Sequence, residues 1–150
     1  MDNLTLEAVK ELRKGKKLVF TNGVFDILHA DHVSCLMRAK ELGDLLVVGM
    51  NTDASVKRLK GPLRPVHPFE SRQYVLEALH CVDAVIPFEE DTPCKLIAEL
   101  KPEIHVKGGD YDADSLAEAP LVKSYGGEIV ILPHKHGYFT TTILKQLEPE

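Results

Sequence analysis

The chain has 150 residues, of which 44% are apolar and 27% charged, and its formal net charge is −5. That length suits one domain with a real core, and the negative charge argues against a nucleic-acid-binding surface. No apolar run approaches the roughly 18 residues of a membrane span, and the polar start Met1 to Glu7 is unlike a secretory signal. The cysteines Cys35, Cys81 and Cys94 are odd in number and lack metal-type spacing. Reduced thiols in a cytoplasmic protein are the simplest reading.

Residues 4–14 read as a helix, with Leu4, Val9 and Leu12 on or near one face. Lys17 to Asn22 reads as a first strand, and a helix over Val33 to Leu42 stops at Gly43. Asp44 to Met50 is a continuous apolar run, as expected of a strand covered on both faces. Thr52 or Asp53 caps a short helix to Leu59, and Gly61-Pro62 and Pro65 then break the chain. A helix follows from about Phe69 to His80, then a strand over Ala84 to Phe88. Thr92-Pro93 reads as an N-cap followed by proline at the first helical position, starting a helix to Leu100. Ile104 to Lys107 is a fourth strand, Ser115 to Tyr125 a weak helix, Glu128 to Leu132 a fifth strand, and a last helix opens near Thr140 or Thr141.

Strands alternating with helices predict a parallel sheet with helices on both faces. The expected fold is α/β: a Rossmann-like, doubly wound, five-stranded parallel sheet in a single domain over residues 1–150. An N-terminal helical segment occupies 1–16, the core 17–147 and a loose tail 148–150. The ligand site of such a fold lies at the carboxyl ends of the strands.

Those strand ends carry the chemistry. The first runs Thr21-Asn-Gly23-Val24-Phe25-Asp26-Ile-Leu-His29-Ala-Asp31-His32, which places two histidines at the start of a helix. A helix start offers unpaired N–H groups and positive potential, which suits phosphate. The second end feeds a stretch with no acid between Asp53 and Glu70 but with Lys57, Arg58, Lys60 and Arg64. That stretch fits a small anionic ligand or a solvated loop. The fourth ends in Lys107-Gly108-Gly109-Asp110, and the fifth in His134-Lys-His-Gly137 with Thr140 and Thr141 beyond. Taken singly, each has a plainer reading: surface histidines, a tight turn, a surface lysine, threonine caps. Their coincidence at four ends of one site favours phosphate chemistry. A phosphate-binding P-loop, a Gly-x-Gly-x-x-Gly fingerprint, a nucleophile elbow and a helical zinc motif are all missing.

These residues resemble the cytidylyltransferase-like nucleotidyltransferase superfamily, whose hallmark is Gly-x-Phe-Asp-x-x-His-x-Gly-His after the first strand. A late Ser-Thr-Thr motif is matched by Phe139-Thr140-Thr141. The segments Asn51 to Val66, Glu70-Ser-Arg72-Gln and Val106 to Tyr111 are similar to those of the ADP-heptose synthases, the D-glycero-β-D-manno-heptose 1-phosphate adenylyltransferases. The resemblance implies transfer of AMP from ATP to heptose 1-phosphate with Mg²⁺, yielding ADP-heptose for lipopolysaccharide or a related glycan. It also implies a homodimer and, as no kinase-sized segment stands in these residues, a separate sugar kinase supplying the acceptor. It assigns catalysis to His29, His32 and Lys57. Nucleotide and phosphate binding fall to Thr21, Gly23, Val24, Phe25, Asp26, Lys60, Arg72, Lys107, Gly108, Gly109, Asp110, Gly137, Thr140 and Thr141. No residue is assigned to metal.

Two departures stand out: Asp31 replaces the glycine between the histidines, and Phe139 replaces the serine of the late motif. Asp31 repels ATP, points away as a helix-start carboxylate, or helps hold Mg²⁺. The alternatives are therefore a relative with another acceptor, such as a glycerol-3-phosphate cytidylyltransferase, and a nucleotide-binding member weakened by Asp31. A flavodoxin-like carrier or receiver domain needs a flavin phosphate loop or an acidic phosphoacceptor cluster, which the histidine run does not supply.

Overall fold

The structure is a computed structural model that describes residues 4–134 and 139–149. Helix α1 (Leu6–Leu12) precedes β1 (Leu18–Gly23), α2 (Ala30–Lys40), β2 (Leu45–Asn51), α3 (Asp53–Lys60), α4 (Phe69–Glu77) and β3 (Ala84–Phe88). Then come α5 (Cys94–Leu100), β4 (Ile104–Gly108), α6 (Ala119–Ser124), β5 (Glu128–Leu132) and α7 (Thr140–Gln146). The sheet has five strands in the order β3-β2-β1-β4-β5, and every pairing is parallel. This is the expected doubly wound α/β fold, with its switch point between β1 and β4.

Alternation along each strand sends side chains to two cores. Leu18, Phe20, Val47 and Ile86 pack with Val9 of α1, Leu96, Ile97 and Leu100 of α5 and Val122 of α6. Val19, Leu46, Val48, Met50 and Val85 pack on the other face with Leu36 and Ala39 of α2 and Leu76 of α4. All of β2 is buried, which explains its unbroken apolar run. Gly49 makes room for a neighbour, since a Cβ there would stand 2.7 Å from Phe20 Cζ and 3.1 Å from Leu96 Cδ2.

Three helix starts differ from the sequence-based expectation. α2 opens at Ala30, three residues early, because His29 takes the N-cap position and the histidine run enters the first turn. At α5, Pro93 is itself the N-cap residue; Thr92 Oγ1 accepts from Cys94 N at 3.5 Å. The expected weak helix over Ser115 to Tyr125 is a 3-10 turn (Ala113–Ser115) followed by α6, which begins only at Ala119. Pro120 in the first turn of α6 suits a helix start and not a helix interior.

Candidate active site

The loop from β1 into α2 is built around Asp26. Phe25 and Ile27 on either side of it have positive φ angles of 51° and 53°. Such a backbone costs on the order of 1 to 3 kcal/mol per residue, so its surroundings must hold it. Asp26 is buried and accepts from Val66 N at 2.7 Å and His67 N at 3.1 Å, and Arg64 Nε lies 3.6 Å from its Oδ2. Its own carbonyl accepts from Thr140 Oγ1 at 2.7 Å. One residue thus fastens the histidine loop, the segment before α4 and the start of α7.

Arg72 makes a second knot. Its Nε donates to His67 O at 3.0 Å and Nη1 to Val24 O at 2.8 Å and Asn51 O at 3.0 Å. Nη2 donates to Asp53 Oδ1 at 2.7 Å. The side chain is only 1% exposed. Its charge joins the ends of β1 and β2 to α4, and its donors are spent on protein.

His29 and His32 stack, with ring centroids 3.8 Å apart, and His32 Nδ1 accepts from His29 N at 3.3 Å. Phe25 packs edge-on against His32 at 5.4 Å. Burial is the main force pushing His32 down to about 4; repulsion from His29 and His134 adds to it, and Asp31 and Asp26 oppose it. His29 is lowered too, first by burial and then by His134, against the pull of Asp31. Asp31 is 2% exposed, in the first turn of α2, where the helix dipole favours a carboxylate.

Two adjoining cavities open at the strand ends. The larger, about 390 Å³, is lined by Asn22, Gly23, Val24, Phe25, Asp26 and His32, by Lys60 and Arg64, and by Lys107, Phe139, Thr140 and Thr141. The smaller, about 170 Å³, shares Asn22 to Phe25, His32 and Lys107 and adds Thr21, Asp31, Cys35, Gly108, Tyr111 and His134. Thr21 Oγ1 donates to Val106 O at 2.9 Å and so bridges β1 and β4 at the switch point. Gly109 has φ 116°, and a Cβ there would stand 3.0 Å from the Tyr111 ring, so a side chain would be strained and crowded. Lys107 Nζ lies 5.2 Å from the Tyr111 ring centroid. A still larger space, about 530 Å³, opens at the β3 edge among Leu4, Leu6, Ile86, Phe88 and Leu96. Its charged rim, Glu89, Glu90, Glu99 and Lys95, is acidic on balance and unsuited to polyphosphate.

Most of the residues singled out in the sequence therefore meet around one space. Lys57 does not: it is exposed on α3, three residues before Lys60, and lines neither cavity. Asp110 is exposed and outside both linings, Gly109 shapes the turn behind them, and His29 supports His32 from the side. Asp26 lines the larger cavity, but its carboxylate is engaged by Val66 N, His67 N and Arg64; Arg72 gives its donors to three carbonyls and Asp53. Gly137 lies outside the described residues. Sequence reasoning counted Arg64 within the basic stretch without assigning it to the site; its only signal was that clustering of charge.

A doubly wound sheet with histidines, lysines and threonine hydroxyls around one strand-end cavity defines a phosphate-handling α/β domain. The cytidylyltransferase-like family profile matches residues 20–143. The chain belongs to this family. It is 50% identical over 149 residues to the bifunctional protein HldE of Escherichia coli O157:H7 (strain EC4115 / EHEC), covering 99% of this chain and 31% of the relative. With HldE of Cronobacter sakazakii the identity is 53% over 143 residues, 95% of this chain and 30% of the relative. The chain spans about a third of the length of these curated relatives. Among solved structures, the lipopolysaccharide core biosynthesis protein of Thermoplasma volcanium superposes with a TM-score of 0.64 at 34% identity, over 81% of this chain and 98% of that one. Pantothenate synthetase of Thermus thermophilus shares the fold, with a TM-score of 0.61 at 14% identity over 89% of this chain and 62% of that one.

Proposed function

We propose that this domain transfers AMP from ATP to a sugar 1-phosphate, heptose 1-phosphate, releasing pyrophosphate and forming ADP-heptose for lipopolysaccharide or a related glycan. The observation that carries this reading is the convergence of His32, Lys60, Lys107 and Thr140 on one cavity beside the switch point. The identity to HldE proteins and to a lipopolysaccharide core biosynthesis protein supports the choice of sugar.

The acceptor's phosphate oxygen is ionised at neutral pH and needs no strong base. It attacks the α-phosphorus; the new O–P bond forms as the bond to the β-phosphate oxygen breaks, and pyrophosphate leaves with the electron pair. Catalysis is then positioning and stabilisation of charge. His32, braced by His29, donates to phosphate oxygens; Lys60 and Lys107 neutralise charge from opposite sides; Val24, Phe25 and Gly108 shape the nucleotide's seat. Lys57, exposed on α3 and outside the cavity lining, belongs to the same basic stretch and adds to its positive field.

Among the described residues no three His, Cys, Asp or Glu side chains group to hold a metal. Mg²⁺ then fits as an ion carried by the nucleotide's phosphates and its own waters, where it supplies charge neutralisation. Among the described residues no helix is long and apolar enough to cross a membrane. A cytoplasmic homodimer fed by a sugar kinase completes the reading.

The test is pyrophosphate release from purified protein with ATP, Mg²⁺ and heptose 1-phosphate. Release with CTP and glycerol 3-phosphate alone would move the assignment to a cytidylyltransferase. The buried Asp31 favours a second reading, a nucleotide-binding member with weakened turnover. ATP binding without release would select it.

A further inference from the structure

We infer that Arg64 is the cavity's principal anion-binding side chain and that its guanidinium grips a substrate phosphoryl group. The inference rests on the reading of this cavity as a phosphate site and names the residue that does the gripping.

The two arginines flanking the segment before α4 look alike in sequence and stand in opposite situations. Arg72 has its donors satisfied by three carbonyls and Asp53. Arg64 is nearly as enclosed, with a side chain 14% exposed, yet its Nε is buried without any hydrogen-bond partner. Among the described residues its guanidinium makes only the 3.6 Å ion pair with Asp26. That carboxylate is already occupied, one oxygen by Val66 N and the other by His67 N. Asp26 therefore fixes where the guanidinium sits without saturating it. A largely enclosed cation whose buried Nε has no acceptor is costly unless something accepts from it.

What remains in front of Arg64 is the larger cavity, whose lining also presents Lys60, Lys107, His32, Thr140 and Thr141; its one carboxylate besides Asp26, Asp91, is paired with Arg58 at 3.3 Å. A phosphoryl group is the acceptor that matches this set. Its oxygens take the guanidinium fork in pairs, which a lysine as a point charge cannot reproduce. Anchoring by Asp26 also ties Arg64 to the histidine loop, so a phosphate held by the fork has its register set against His32.

The experiment is a calorimetric titration of the full chain with pyrophosphate near neutral pH. Arg64→Gln is expected to weaken binding on the order of tenfold or more, and Arg64→Lys by less. Lys14→Gln, just after α1 and exposed, is expected to leave it unchanged. Steady-state KM values for ATP and for the sugar 1-phosphate then tell whose phosphoryl group is held: the one that rises in Arg64→Lys identifies the source. Wild-type affinity in Arg64→Gln, with only a lowered thermal midpoint, would make Arg64 a mere counter-ion of Asp26 and overturn the inference alone. If Arg64→Gln does not fold, Arg64→Lys decides in the same way, because it keeps the charge beside Asp26 and loses the fork. Failure of the wild type to bind pyrophosphate would overturn the phosphate reading of the cavity as well.

Discussion

Replacing Arg72 by methionine separates a supporting arginine from a substrate-facing one. Methionine roughly preserves the stem's volume and deletes every donor. Three carbonyls, those of Val24, Asn51 and His67, then lose a charged partner. An unpaired buried acceptor costs about 1 to 3 kcal/mol; with only the Asn51 bond fully buried, the low part of that range applies and the loss is about 3 to 5 kcal/mol. The Asp53 pair adds little, since that carboxylate is 40% exposed and rehydrates when the partner is gone. Against a typical domain stability of about 5 to 15 kcal/mol, this is a large fraction. Urea denaturation followed by circular dichroism reads it as a lowered midpoint at unchanged slope. Arg72→Lys is expected to recover little, because one ammonium cannot span four acceptors. A variant that unfolds at the wild-type midpoint but no longer binds pyrophosphate would refute this account and return Arg72 to the phosphate.

Three further outcomes follow from the same geometry. His32 titrates at about 4 in the folded chain and near its ordinary 6.5 when unfolded, so the unfolded chain binds the extra proton first. Stability is therefore full above about pH 6.5 and falls as the pH drops toward 4, and His32→Gln should flatten that fall in urea midpoints; an unchanged pH slope would exclude His32 as its source. Asp31→Asn removes a negative charge beside the histidines and should tighten pyrophosphate roughly three- to tenfold, while costing about 0.5 to 1 kcal/mol at the start of α2. Weaker binding would show instead that the carboxylate helps to seat the ligand. Gly49→Ala drives a methyl against Phe20 and Leu96 and should destabilise the fold by about 1 to 3 kcal/mol, with pyrophosphate affinity retained in the fraction that folds.

The sheet was legible because its signals are local. Continuous apolar runs marked β2 and β5, and Gly43 marked the end of α2 within a few residues. Four functional strand ends were legible because the fold class itself says where strand ends meet. Side-chain direction was not legible. Arg64 and Arg72 carry the same charge within one segment, and nothing in composition says that one will be consumed by carbonyls while the other lines a cavity. Asp26 reads as part of a nucleotide motif, yet its carboxylate holds Val66 and His67. His105 reads as an ordinary strand residue; it is fully buried, 3.6 Å from the buried Glu118, and its nearness is the main influence holding that carboxyl below its usual range. Partnerships between residues so far apart along the chain depend on the packed fold, and a one-dimensional pattern does not encode them.

The knots at Asp26 and Arg72 bear on how the proposed transfer would run with no strong base. Transfer to an ionised acceptor needs donors already aimed at the oxygens that gain charge, with little reorganisation at the moment of reaction. Asp26 and Arg72 provide this by locking the histidine loop, the α3–α4 segment and the start of α7 into one body. The low value of His32 fits the same logic. In the empty site it stays neutral, because burial and its neighbours resist a charge there. A polyphosphate opposes that balance, favouring the imidazolium when an anion is present to accept from it; protonation at Nδ1 then gives up the bond accepted from His29 N. Binding should then take up a proton, which titrations in buffers of different ionisation enthalpy detect as a buffer-dependent heat. A buffer-independent heat would mean that His32 meets the phosphate neutral, leaving Lys60, Lys107 and Arg64 to carry the positive charge.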